Sequence, residues 1–200
     1  MIISTDIEFA VGRRDPETLR SYRAFKSRQA QLRERPTIAG CAHKFLSLSE
    51  RPKRLASDGR TALETVLPGA FARSLAGAEN ITALINHEES WVVGQTEDYS
   101  LKLWEDDVGL QYRVAFDSGT RFGRLLYNAI SLGHFSGMSL GWRFDPRRDI
   151  HYSRDTRVFL NATILEISFL LPKFQPQFRG GTAHLDVPIS VLRRRLEHAL

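Results

Sequence analysis

Short runs of alternating apolar and polar residues dominate the chain after Pro36, and that period of two predicts strands. Residues 37–48, 81–85, 91–96, 99–104, 110–116, 138–144 and 156–171 read this way, and 61–67 reads as a strand or a helical turn. The turn Glu105-Asp106-Asp107-Val108-Gly109 joins two of them. Period 3.6 takes over in 117–131, where Phe122, Leu125, Leu126, Ala129 and Ile130 form one stripe and Gly133 stands where a C-terminal cap belongs. Pro68-Gly69-Ala70-Phe71 opens a short helix with Phe71 and Leu75 facing the core. Asp15-Pro16-Glu17 has the form of a helix start, but Leu19, Tyr22, Phe25 and Leu32 give only a loose stripe after it. Residues 1–35 are therefore expected as an N-terminal arm or marginal helix. A domain should follow over 36–174, and a tail over 175–200 in which Ile189, Leu192 and Leu196 form a short amphipathic helix. The order of elements lacks the strand–helix alternation of a parallel sheet. The expectation is an α+β fold, a mostly antiparallel β-barrel-like domain with a few surrounding helices.

Composition narrows the class. Two hundred residues suit one domain, and 42% apolar residues can fill a core, which excludes whole-chain disorder. The lone Cys41 excludes a disulfide scaffold. No apolar run approaches the ~20 residues of a membrane helix, and no secretory signal is read at the N-terminus, so cytoplasm is the default compartment. The net charge of +5 tolerates nucleic acid without requiring it. The basic groups Arg147, Arg148, Arg154 and Arg157, and Arg193 to Arg195, read as solvated faces.

Three segments carry chemistry. In 80–87, alternation puts His87 at the end of the row Ile81, Ala83, Ile85. Alone, such a residue is a histidine at the core edge. Gly137-Met138-Ser139-Leu140-Gly141 fits G-x-S-x-G, but a strand rather than a helix is expected after it, which disfavours the nucleophile elbow of an α/β-hydrolase. The glycines still allow close approach to Ser139. In 162–171, alternation groups Ile164, Glu166, Ser168 and Leu170 on one face. A carboxylate in so apolar a strand needs a partner, either a buried Arg or an imidazole. Ser139, His87 and Glu166 supply a nucleophile, a base and a group that orients the base. A metal set of His184, Asp186 and His198 is superficial, and Cys41 with His43 on one strand face reads as core. No cofactor or metal is expected.

Seven pieces in order resemble the prohead maturation proteases of tailed bacteriophages, serine proteases related in fold to herpesvirus assemblin. They are Gly40-Cys41-Ala42 with Phe45; Pro68-Gly69-Ala70-Phe71 with Ser74-Leu75; Asn86-His87; Val93-Gly94; Asp107-Val108-Gly109-Leu110; Met138-Ser139-Leu140-Gly141-Trp142; and Leu165-Glu166-Ile167-Ser168 with Pro172. Glu88 stands where many members have Asp, and Trp142 where Phe or Tyr is usual. The resemblance implies an assemblin-like barrel, His87 as catalytic base and Ser139 as nucleophile. Assemblin has a second His as third member, and here Glu166 is the candidate.

The resemblance further implies a serine endopeptidase that cleaves scaffold protein or a capsid-subunit extension, and itself, during prohead maturation. It would act in the host bacterial cytoplasm, inside the immature capsid. The expected partner is the major capsid or scaffold protein, with homodimerisation through the C-terminal helix left open and no membrane or nucleic acid required. The alternatives are a catalytically inactive capsid-assembly or scaffold protein on the same fold, and an esterase using Ser139. Arg143, on the Ser139 face, is a speculative oxyanion donor.

Overall fold

The alternating segments become twelve strands in three four-stranded sheets in a computed structural model that describes residues 16–54, 61–153 and 155–187. The first sheet has the order β12-β1-β7-β6, built from β1 (Thr37–Lys44), β6 (Leu101–Glu105), β7 (Gly109–Ala115) and β12 (His184–Asp186). The second runs β2-β3-β10-β9, from β2 (Lys53–Arg54), β3 (Thr61–Val66), β9 (Ile150–Ser153) and β10 (Thr156–Phe159). The third, which carries the candidate chemistry, runs β5-β4-β11-β8, from β4 (Thr82–Ile85), β5 (Glu88–Gln95), β8 (Gly137–Arg143) and β11 (Thr163–Leu170). Pairing is antiparallel except for β3 with β10 and β4 with β11. The fold is α+β and rich in strands. Its ladders remain three sheets rather than one closed barrel among the described residues.

Two units separate. Helix α1 (Pro16–Arg33) belongs to the first, and its side chains from Arg20 onward are mostly exposed, as its weak stripe predicts. The second spans Pro36–Val187 and holds the core, in which Tyr112, Phe71, Phe116, Phe159 and Phe169 are fully buried. Each such aromatic contributes about 2–3 kcal/mol of transfer free energy. Helices α2 (Ala72–Ala76) and α3 (Arg121–Ser131) belong to this unit. Thr120 caps α3 by accepting from the Gly123 N–H at 3.0 Å. At its other end Gly133, at φ +70°, closes a Schellman turn in which the His134 N–H reaches the Ala129 carbonyl at 2.7 Å.

Four departures from simple alternation matter. The stretch 156–171 is two strands in different sheets. Between them the Leu160 and Asn161 N–H groups bond Asp149 and the Ala162 N–H bonds Ala70, so the ladder is interrupted. The compact unit reaches Val187, taking in 175–187: β12 pairs with β1, and the Thr182 N–H donates to the Cys41 carbonyl at 2.9 Å. Three residues of strand are too short to show a pattern. Cys41 and His43 do not share a face, because a bulge lies between them where β1 pairs with β7. Arg157 is not a solvated charge. It pairs with the buried Glu64 and lies over the rings of Phe144 and Phe159. The C-terminal helix, His198 and Arg193 to Arg195 lie outside the described residues.

Candidate active site

β4 ends at Ile85, and Asn86 and His87 form a two-residue hairpin turn into β5, both with positive φ (55° and 63°). That is the type I′ geometry, which matches strand twist and which a histidine adopts only under constraint. The constraint comes from β11. The Asn86 N–H donates to the Phe169 carbonyl at 3.0 Å, and Asn86 Oδ1 accepts from the Leu171 N–H at 2.9 Å. The turn also moves the imidazole. Ile81, Ala83 and Ile85 face the core, so continued alternation would send His87 there too. Instead it sits over the opposite face, its side chain 43% exposed.

β11 presents Glu166 to that same face through a second irregularity. Ile164 pairs with Trp142 and Glu166 with Gly141, with a bulge between at Leu165. Successive residues of β8 point to opposite sides, so the extra residue separates Ile164, in the core, from Glu166, outside it. Strict alternation had placed the two together. Beyond the bulge, Glu166 and Ser168 stand opposite Gly141 and Ser139 on one face.

His87 and Glu166 meet there: Nδ1 lies 2.7 Å from Oε1. Ser168, fully buried, joins both. Its Oγ accepts from the His87 N–H at 3.0 Å and donates to Glu166 Oε2 at 2.7 Å. The Glu166 hydrogen bond, aided by its charge, raises the imidazole pKa above the usual 6.5 against the opposing effect of burial. Gly141 makes room for the carboxylate, since a Cβ there would lie 2.5 Å from Oε1.

Ser139 occupies the neighbouring strand on this face, directly across from Ser168. Directly paired Cα atoms in such a ladder are about 4.5–5.5 Å apart. No hydrogen bond joins its hydroxyl to His87 among the described residues, so two of the three groups are in contact and the third lies alongside. Nε2 is the ring atom left for it. The segment after Ser139 continues as strand to Arg143, so the strand-to-helix elbow of an esterase is not formed. Arg143 pairs with Glu79.

β8 is the outer strand of its sheet, and a cleft of about 300 Å³ runs beside it. Ser139, Gly141, Trp142, Phe144 and Phe178 line it, with His43 beneath. His43 is 2% exposed, with Nε2 unpartnered, and burial pushes its pKa down to about 4. It is a neutral core imidazole held edge-on against Phe71, Trp142 and Phe178.

Sequence reasoning gave no role to Ser168 or Asn86, and it read Gly141 as room for close approach to Ser139 rather than as space for the Glu166 carboxylate. The signals were present. A serine two residues from a carboxylate on one strand face can bond it, a glycine opposite that carboxylate leaves it space, and Asn favours the left-handed turn conformation.

A model of the caudovirus prohead serine protease family matches residues 23–175 of the chain. No curated protein matches it. Among solved structures, the crystal structure of KSHV protease in complex with a hexapeptide phosphonate inhibitor is similar at a TM-score of 0.43 and 17% identity, covering 80% of this chain and 69% of that one.

Proposed function

Because the chain belongs to the caudovirus prohead serine protease family, we propose that it is a serine endopeptidase that cuts scaffold or capsid-subunit extensions inside the immature phage capsid. Ser139 is the nucleophile, His87 the general base, and Glu166 the group that orients His87. The observation that carries this assignment is the 2.7 Å contact between His87 Nδ1 and Glu166 Oε1, on the sheet face that also bears Ser139.

A serine hydroxyl attacks a carbonyl only as a base removes its proton. With Nδ1–H donated to Glu166, the tautomer is fixed and Nε2 carries the free lone pair. Ser139 Oγ adds to the scissile carbonyl carbon while Nε2 takes the hydroxyl proton. The C–N bond then breaks, the departing amine takes that proton, and an acyl-serine ester remains. Water, deprotonated by the same nitrogen, releases the acid and regenerates the hydroxyl. Glu166 stabilises the imidazolium formed in each half. The cleft along β8, lined by the rings of Trp142, Phe144 and Phe178 and by the polar side chains of Lys53 and Gln177, suits a substrate side chain next to Ser139. Removing scaffold from a closed shell as fragments gives the cleavage a physical purpose.

The test is co-expression with the major capsid protein of the same phage genome, followed by mass spectrometry of both chains. The wild type should trim the partner, and Ser139→Ala should leave it whole with an unchanged circular dichroism spectrum. Equal trimming by Ser139→Ala would remove Ser139 from the mechanism. An intact partner in both cases would favour the inactive assembly protein.

A further inference from the structure

We propose that Ser168 is a positioning residue that holds the imidazole and the carboxylate in one arrangement. The proposal rests on the assignment of His87 and Glu166 made above. A serine with no exposed surface inside an apolar strand would ordinarily turn its hydroxyl to the nearest backbone carbonyl. Here it bridges. Oγ accepts the His87 N–H at 3.0 Å and donates to Glu166 Oε2 at 2.7 Å, while Oε1 of the same carboxylate holds His87 Nδ1 at 2.7 Å.

These three bonds close a ring: His87 backbone, Ser168 hydroxyl, Glu166 carboxylate, His87 side chain. Each link removes a separate freedom. The bond to the backbone N–H secures the turn residue at φ 63°. The bond to Oε2 fixes rotation of the carboxylate about its last torsion, which is otherwise broad for Glu. The third then sets the plane of the ring. A hydroxyl serves here because it donates and accepts at once. Alanine can do neither, and threonine can do both. Ser168 stands one strand away from Ser139, so it acts on the base and not on the substrate.

The test compares Ser168→Ala, Ser168→Thr, Glu166→Gln and the Ala/Gln double variant. One readout is the rate at which a fluorophosphonate probe phosphonylates Ser139, forming the Oγ–P bond as fluoride leaves. The other is the NMR titration of the His87 ring, which needs no turnover. Ser168→Ala should react with the probe about 10- to 100-fold more slowly. Its His87 midpoint should fall toward 6.5, as the carboxylate that raises it loses its hold. Ser168→Thr should recover most of the rate. In the Gln background the Ala substitution should cost less than 3-fold, since much of what Ser168 holds is already lost. If Ser168→Ala is not folded, Ser168→Cys, similar in size but a poor donor, should show the same slowing and the same fall. A wild-type rate with an unmoved midpoint in the folded variant overturns the proposal, as does equal slowing in both backgrounds. Failure of the probe to label wild-type Ser139 would instead remove the peptidase reading, with the titration still reporting on Ser168.

Discussion

Substituting Gly141 tests the pair without altering either partner. Its backbone is not in the left-handed region, so alanine fits the main chain. The added Cβ would lie 2.5 Å from Glu166 Oε1, 3.0 Å from Cγ and 3.1 Å from Cδ, against ordinary contact beginning near 3.4 Å. Oε1 must withdraw by the difference, about 0.9 Å. Because Ser168 tethers Oε2, Oε1 moves mainly by rotation of the carboxylate, while Cγ and Cδ give by the few tenths of an ångström that their milder contacts require. The 2.7 Å contact to Nδ1 then stretches to as much as about 3.6 Å, beyond hydrogen-bonding range.

The structural penalty is small, since the clash falls on the end of a flexible side chain. A rotation of this size costs about 1 kcal/mol, partly offset by the lower unfolded-state entropy of alanine. The functional loss is larger. A hydrogen bond to a charged group contributes about 1.5–3 kcal/mol, equivalent to roughly 10- to 150-fold in rate. Gly141→Ala should therefore melt within a few degrees of wild type, be phosphonylated by a fluorophosphonate roughly 10- to 150-fold more slowly, and show a His87 titration displaced downward. Calorimetry, stopped-flow labelling and NMR read the three quantities. A wild-type labelling rate combined with an unmoved titration would show that the carboxylate contact does not govern the base. Loss of fold would show that the close approach at Gly141 is not relieved by the side chain.

Two pH effects of opposite sign follow from the two histidines. The pKa of His87 is raised by Glu166, so the pair's contribution to stability is full below pH 6.5 and is lost as pH rises through the raised value. Glu166→Gln should narrow its stability gap to wild type between pH 6 and 9 in urea titrations, and a constant gap would contradict the pairing. The wild-type rate of fluorophosphonate labelling should rise through the same elevated midpoint, because only neutral His87 accepts a proton. The pKa of His43 is lowered by burial to about 4, so the unfolded chain binds the extra proton between pH 6.5 and 4 and stability falls as pH drops across that window. The loss approaches about 3 kcal/mol. His43→Phe should flatten that slope, as measured by melting at pH 6.5 and 4.5, and an unchanged slope would place the acid lability elsewhere.

Much of the fold was legible because burial on one side of a sheet imprints a period of two. The strands around Ile38, Leu110 and Met138 were read this way, and the stripe of α3 by its period of 3.6, with Gly133 marking its end. What failed was where ladders stop. The run 156–171 looks continuous because both of its strands bury apolar residues, Phe159 in one and Ile167 and Phe169 in the other. The break between them is made by hydrogen bonds to Asp149 and Ala70, which are distant in sequence. β12 was invisible for the opposite reason. Three residues carry no period, and the strand exists because β1 offers it an edge.

At the candidate site the periodic reading failed twice, and both failures have one cause. Uninterrupted alternation puts His87 in the row of Ile81, Ala83 and Ile85, and puts Glu166 beside Ile164. Both rows are core, and a carboxylate there would face the desolvation penalty that the sequence reading anticipated. The turn at Asn86 and His87 carries the imidazole over to the other side of the sheet. The bulge at Leu165 does the same for the carboxylate. Each irregularity is uninformative alone, but together they deliver two polar groups to one face at 2.7 Å and leave the apolar rows intact behind them. Alternation singled out His87 and Glu166 as polar groups among apolar rows, and the motifs are indifferent to backbone phase. Periodicity misplaced their faces, because the two candidates sit where the chain departs from it.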